Sequence, residues 1–200
     1  MPNFNRVAGV YNILKKIVFG NQLDEATQFF LNQIPENSTI LLIGGGDGRL
    51  LQKIASTNQI VYVEQSSAMI RKAKKTANSS QITFVTADIL NWESDQRFNV
   101  IITPFVLDCF SESQLHLIFE KIDLKFENDG IWIQTDFYPK NKWQNSLVKV
   151  MYYFFSIFAQ LRNQELPDFD RIFKKYGFSF TEKASFYHSM VESKIYRKIE

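Results

Sequence analysis

One cysteine, Cys109, stands in 200 residues, so no intramolecular disulfide can form, and a reducing compartment is expected. No sign of charge dominates. Lys and Arg number 23 against 21 Asp and Glu, and a net +2 is too small to argue for nucleic acid or an anionic membrane as partner. No apolar run reaches the ~20 residues of a membrane span. The greasiest window, Leu147–Leu161, is shorter and contains Lys149. The basic start, apolar middle and cleavage site of a signal peptide are not found. These observations predict a cytoplasmic protein with no stable membrane insertion. His116 and His188 are isolated from each other and from Cys109, which gives no metal-ligand spacing, and both histidines read as structural. Internal repeats and low-complexity tracts are lacking as well.

What the chain does have is alternation. Apolar segments of strand length, 39–43, 60–64, 82–88, 99–103 and 130–136, alternate with helical periods. Parallel strands need crossovers, so the pattern predicts one doubly wound α/β domain over 1–200 with helices on both faces of the sheet. Ser66 is a cap for the helix carrying Met69, Ile70 and Ala73, and Ser111 with Gln114 has capping-box spacing. Asp168 caps a short helix that ends before Gly177. Two strands near the C-terminus, 178–188 and 193–199, make an antiparallel pair and bring the sheet to seven. Residues 1–34 read as a helical cap, amphipathic from Asn21 to Ile34. Residues 141–162 read as an inserted helix. Leu147, Met151, Phe154, Phe155 and Phe158 are expected on the domain, with Val148, Tyr152 and Ile157 pointing elsewhere. Its outer side is a candidate homodimer surface, and Trp143 or Tyr152 a candidate roof for a pocket.

The first strand runs into four glycines, Gly44, Gly45, Gly46 and Gly48, around Asp47. So many missing side chains imply close approach of the backbone to a ligand, at the carboxyl end of the strands where open α/β sheets bind ligands. A helix start after the loop would favour negative charge. The dinucleotide fingerprint G-x-G-x-x-G fails because Arg49 stands at its last position, and no Gly-Lys-Ser/Thr is present for a P-loop. Glu64, at the end of the second strand, can accept both hydroxyls of a ribose. Asp88, at the end of the third, can accept from an adenine amine or simply cap its turn. Together they describe a pocket for an adenosine without pyrophosphate.

On these residues the chain resembles the class I S-adenosylmethionine-dependent methyltransferases. "ILLIGGGDGRLL" is similar to their first motif, "VEQSSAMI" to the second, "TADIL" to the third and "RFNVIITPFVLDCF" to the fourth, with "DGIWIQTDF" in the fifth-strand region. The opening "FNRVAGVYN" resembles the lead-in of small-molecule members, which makes Tyr11 a cofactor lid. The resemblance implies S-adenosylmethionine as cofactor, held by the glycine loop with Asp47, by Glu64, Gln65 and Met69, by Asp88 and Ile89, and by Thr103. It implies methyl transfer to a small, partly apolar acceptor. Asp108 is a candidate general base or a loop carboxylate near a helix start. Two positions depart from the family: Leu42 where an acid usually ends the first strand, and Asn99 where aspartate is common. "GGGDG" also looks like the loop of aminopropyltransferases, but Thr103 and Pro104 stand where their first acid belongs. A non-catalytic binding module of the same fold is the other alternative.

Overall fold

The computed structural model describes residues 18–77, 81–159 and 166–199, with the backbone alone over 152–159. Five parallel strands are β1 (Thr39–Ile43), β2 (Gln59–Glu64), β3 (Ile82–Thr86), β4 (Phe98–Pro104) and β5 (Phe126–Phe137). With β6 (Phe178–Phe186) and β7 (Val191–Lys198) they form one sheet in the order β3-β2-β1-β4-β5-β7-β6. β1 lies inside the sheet between β2 and β4. Residues 40–43 are buried on both faces, which is why this strand reads as an unbroken apolar run. The strand order reverses between β1 and β4, and the crevice at such a point is where open α/β sheets bind ligands.

The seven-stranded doubly wound sheet is as the sequence predicts, with one refinement. β7 is antiparallel to both of its neighbours, β5 and β6. So β7 alone is reversed, and the edge strand β6 runs with the first five. Periodicity cannot show that the last strand inserts between two earlier ones.

Helices cover both faces. They are α1 (Gln22–Gln28), α2 (Ser67–Thr76), α3 (Glu112–Asp123), α4 (Lys142–Ala159) and α5 (Phe169–Lys175). The Ser66 hydroxyl accepts the Met69 N–H at 3.3 Å, Ser111 and Gln114 make the reciprocal capping box, and Asp168 accepts from Arg171 N–H at 3.1 Å. Gly177 is left-handed at φ 75°. The helical period from Asn21 does not continue unbroken to Ile34. After α1 a tight turn, Leu31–Gln33, follows, and Pro35 holds Ile34 extended.

One core packs α3 and α5 on the sheet, where Phe173 stacks on Tyr196 at 3.6 Å and Trp132 packs among Phe119, Phe173 and Phe178. The other face gathers Leu42, Tyr62, Ile70 and Ile133. A third cluster sits under the start of α4, where Val148 and Met151 meet Phe19, Leu23, Phe137 and Met190. Val148, expected to point away, is therefore buried, and Gln144, Val148 and Met151 form the inner stripe at helical spacing. The expectations for Tyr152, Phe154, Phe155, Ile157 and Phe158 lie outside the described side chains, as does Tyr11.

Both histidines make side-chain contacts within the fold. The Nδ1 atom of His116 lies 3.2 Å from the Tyr176 hydroxyl, and His188 meets Trp143 edge-on at 6.0 Å in the β6–β7 turn. On the α5 face of β7, Lys194 is 1% exposed. It donates to Asp170 at 2.7 Å and pairs with Glu192 at 3.0 Å, and its ammonium lies 3.7 Å from the centre of the Tyr138 ring. Among the described residues no helix is long and apolar enough to cross a membrane.

Candidate cofactor and acceptor site

The loop after β1 is built by internal contacts that the glycine count alone does not reveal. A Cβ on Gly44 would lie 2.5 Å from the Val106 side chain. One on Gly45 would collide with Leu42 and lie 2.6 Å from the Tyr62 ring, and one on Gly48 would lie 2.7 Å from the backbone of Ala73 in α2. These three glycines are small because the protein's own interior is close. Of the four, only Gly46 has no atom of the described residues within 4 Å of its Cβ position, at φ 62°, in the left-handed region that favours glycine. The number of glycines in the loop thus answers in part to internal packing.

The predicted amphipathic helix after the loop is a five-residue tight helical turn, Arg49–Lys53. β2 starts at Gln59, and the stretch 49–58 is too short for several helical turns plus a return. The anion site of a long helix start is therefore lacking here. The loop is held instead by side chains. Glu64 accepts the Gly46 N–H at 3.2 Å through Oε2 and the Ser66 N–H at 2.8 Å through Oε1. Burial raises its pKa, and the N–H donors of Ser66, Gly46 and Gln65 oppose that rise. The Tyr62 hydroxyl donates to the Gly46 carbonyl at 2.9 Å. Burial, then the charges of Glu64 and Asp47, push that hydroxyl far up, so it stays a donor at any physiological pH. Tyr62 was not legible as a site residue, since an aromatic in a buried strand reads as core. Tyr62→Phe is expected to cost about 1 kcal/mol of stability. It should also weaken S-adenosylhomocysteine binding a few-fold, both read by denaturation and calorimetry; an unchanged affinity would show that loop position is set elsewhere.

Asp47 pairs with Arg49 at 3.1 Å, and Arg49 reaches Asp24 of α1 at 3.6 Å. Asp88 accepts the Leu90 N–H at 3.0 Å and so caps its own turn, with one edge partly exposed, beside the buried Ile89. Met69 is half-buried at the start of α2 and Gln65 is exposed. Thr103 is placed differently from the expectation. It is fully buried, and its hydroxyl accepts the Trp132 indole N–H at 2.9 Å, which makes it a sheet-interior contact.

The two departures from the family pattern have separate explanations. Leu42 fills the space beneath Gly45, so the loop rests on an apolar support. Asn99 stands at the amino end of β4, where its carbonyl accepts the Thr39 N–H at 2.8 Å and ties β4 to β1. It lies at the opposite end of the strand from the site.

Beyond β4 the chain bends through Phe105, a non-glycine residue at φ 50°. The tight turn Leu107–Cys109 follows, carrying the buried Asp108, whose carboxylate accepts the Cys109 thiol at 3.4 Å. Burial, then the carboxylates of Asp108, Asp136 and Glu64, push that thiol up. Glu64 ends β2, Asp108 lies in the turn after β4 and Asp136 lies near the end of β5. Asp136, which the sequence did not single out, is fully buried there.

Residues 40–130 match the family model for the methyltransferase domain. Among curated proteins none matches the chain by sequence. Solved structures share the fold. One belongs to a complex of the Haloferax volcanii Trm112 methyltransferase activator, at 12% identity and TM-score 0.74, over 100% of this chain and 99% of that one. A second is the N-methyltransferase NodS from Bradyrhizobium japonicum with S-adenosyl-L-homocysteine, at 14% identity and TM-score 0.66, over 89% and 86%. A third is the mitomycin 7-O-methyltransferase MmcR, at 14% identity and TM-score 0.70, over 98% of this chain but only 60% of that one.

Proposed function

We propose that the chain transfers a methyl group from S-adenosylmethionine to a small, partly apolar acceptor, a reading supported by the match of residues 40–130 to the methyltransferase-domain model. The observation that carries this reading is the opening at Gly46 beside Glu64. A Cβ would enter that opening, and the adjacent carboxylate is fixed by two backbone N–H groups. Each oxygen of a carboxylate has a second lone pair, so Glu64 can hold the loop and still accept from a ribose. Asp88 and Ile89 are the candidate adenine neighbours, with Met69 across from them.

The sulfonium supplies an already activated methyl group. This chain's part is to bind, to orient and to keep water out, and orientation carries most of the rate in such a transfer. That is why the sequence shows no strong catalytic motif. Asp108, in the turn after β4, is the candidate general base for an acceptor that must lose a proton. The helix read over 141–162 is the candidate cover for the acceptor and its outer face the candidate dimer surface, while Tyr11 is the candidate lid over the cofactor.

Glu64→Ala tests the reading. It removes the ribose acceptor and the Gly46 anchor together, so S-adenosylhomocysteine affinity is expected to fall more than ~10-fold, about 1.4 kcal/mol. Calorimetry checks this. Equal affinity in mutant and parent would defeat the ribose assignment, and no binding by the parent at millimolar ligand would defeat the methyl-transfer reading.

A further inference from the structure

α4 buries one side and shows another. Val148 and Met151 pack on Phe19, Phe137 and Met190, and Gln144 in the same row donates to the His188 carbonyl at 2.9 Å. At about 100° per residue, a second apolar row runs beside this one through Trp143, Leu147 and Val150. Trp143 is 49% exposed and Val150 65%, with Leu147 half-buried between them. Further round the helix come Ser146 and then Lys142 and Lys149, all exposed. Neither lysine makes an ion pair among the described residues. No Asp or Glu stands in the 18 residues of α4, and 152–159 adds no charge of either sign. One exposed apolar side chain needs no explanation, but three at i, i+4 and i+7 form a continuous stripe, here edged by cations.

We propose that this face of α4 docks on an anionic lipid surface. Trp143, Leu147 and Val150 enter the headgroup boundary, and Lys142 and Lys149 meet the lipid anions. Apolar content alone leaves the face open to a second copy of the chain, and charge decides against that. Two copies packed through this row would gather the lysines of both along one helix pair, with no acid on either helix to meet them. An anionic surface meets all of them, and each basic residue near it favours binding several-fold. Tryptophan suits the boundary because its ring is apolar and its N–H is not. The lysine stems can lie along the apolar row while the ammonium groups reach the headgroups. The helix lies on the membrane and does not cross it. Its 18 residues span about 27 Å, and among the described residues no helix is apolar enough to cross. The whole-chain charge of +2 does not set this contact, because charges farther from the surface than the Debye length, ~8 Å at physiological salt, are screened.

Co-sedimentation of the full chain with vesicles tests this, with no cofactor added. One set is phosphatidylcholine alone, the other equimolar phosphatidylcholine and phosphatidylserine. Binding to the anionic set is expected to be at least ~10-fold tighter at low salt and to fall as salt rises. Tryptophan emission should shift to the blue on the anionic vesicles, and Trp143→Phe should remove that shift. Val150→Asp puts a charge into the apolar row, and Lys142→Glu with Lys149→Glu reverses its edge. Each is expected to weaken binding to anionic vesicles at least ~10-fold, with the far-ultraviolet circular dichroism of the parent. If either variant fails to fold, the lipid preference of the parent and the Trp143 emission decide. Equal binding to both vesicle sets, or none to either, overturns the proposal. Binding that leaves the Trp143 emission unmoved overturns it too, since another surface then meets the lipid. So does a parent that is dimeric in solution and that Val150→Asp makes monomeric, which would give the row to a second copy.

Discussion

Gly46→Val is expected to weaken S-adenosylhomocysteine binding by at least ~100-fold, about 2.7 kcal/mol, with a smaller loss of stability. Gly46 is the one loop glycine whose Cβ would meet no atom of the described residues, so the valine methyls project into the space assigned to the ligand. The fold bears only the cost of a left-handed non-glycine residue, ~1–2 kcal/mol. Gly48→Val should behave oppositely. It adds the same backbone strain at φ 81° to a collision with the Ala73 backbone, so its first effect is on unfolding. Calorimetry and urea unfolding on both variants separate the two. Parent-like affinity in Gly46→Val would place the ligand away from the loop, whatever happens at Gly48.

Lys194→Ala is expected to destabilise the fold by about 3 kcal/mol, at the low end of the ~3–5 found for breaking buried ion pairs. The low end applies because Glu192 keeps Lys140, at 2.7 Å, after the ammonium is gone. Asp170 keeps the Tyr196 hydroxyl, at 2.6 Å, as its hydrogen-bond donor among the described residues. The same cluster gives an acid limb to stability. Burial raises both carboxyls, but Lys194 and Tyr196 at Asp170, and Lys140 and Lys194 at Glu192, outweigh it and hold both below their ordinary values. Depressed folded values mean stability that is fully present above the unfolded value of about 4 and lost as pH falls through the folded values. Urea midpoints of parent and Lys194→Ala between neutral pH and pH 3 check both points. The gap between them should narrow toward acid. A constant gap would show that Lys194 acts through its packed stem alone.

The local level of this protein was legible in the chain. Apolar runs placed the first five strands, because a strand buried on two faces, such as 40–43, can only be written in apolar residues. Ser66, Ser111 and Asp168 announced their helices, because a helix start needs an acceptor for its free N–H groups whatever surrounds it. Glu64 beside the glycines was legible for the same kind of reason: the end of a strand and the loop that follows its neighbour are joined by the crossover rule alone.

What the sequence left undecided depends on neighbours far along the chain. Four glycines looked alike until Val106, Tyr62 and Ala73 arrived beside three of them and left Gly46 open. Asn99 looked like a damaged site residue, and Thr103 like a cofactor contact. One ties two strand starts together, and the other spends its hydroxyl on Trp132. Val148 turned inward because α1 and the β6–β7 turn fill the space on that side of α4. Gln134 and Asp136 read as ordinary polar residues of a last parallel strand. The fold buries both, with Tyr138 against Gln134 and the Leu107–Cys109 turn against Asp136, and burial is what turns an unremarkable amide and carboxyl into atoms that need a partner. A hydrogen-bonding group carries its chemistry in the sequence, but whether water satisfies it is settled by what the fold packs over it.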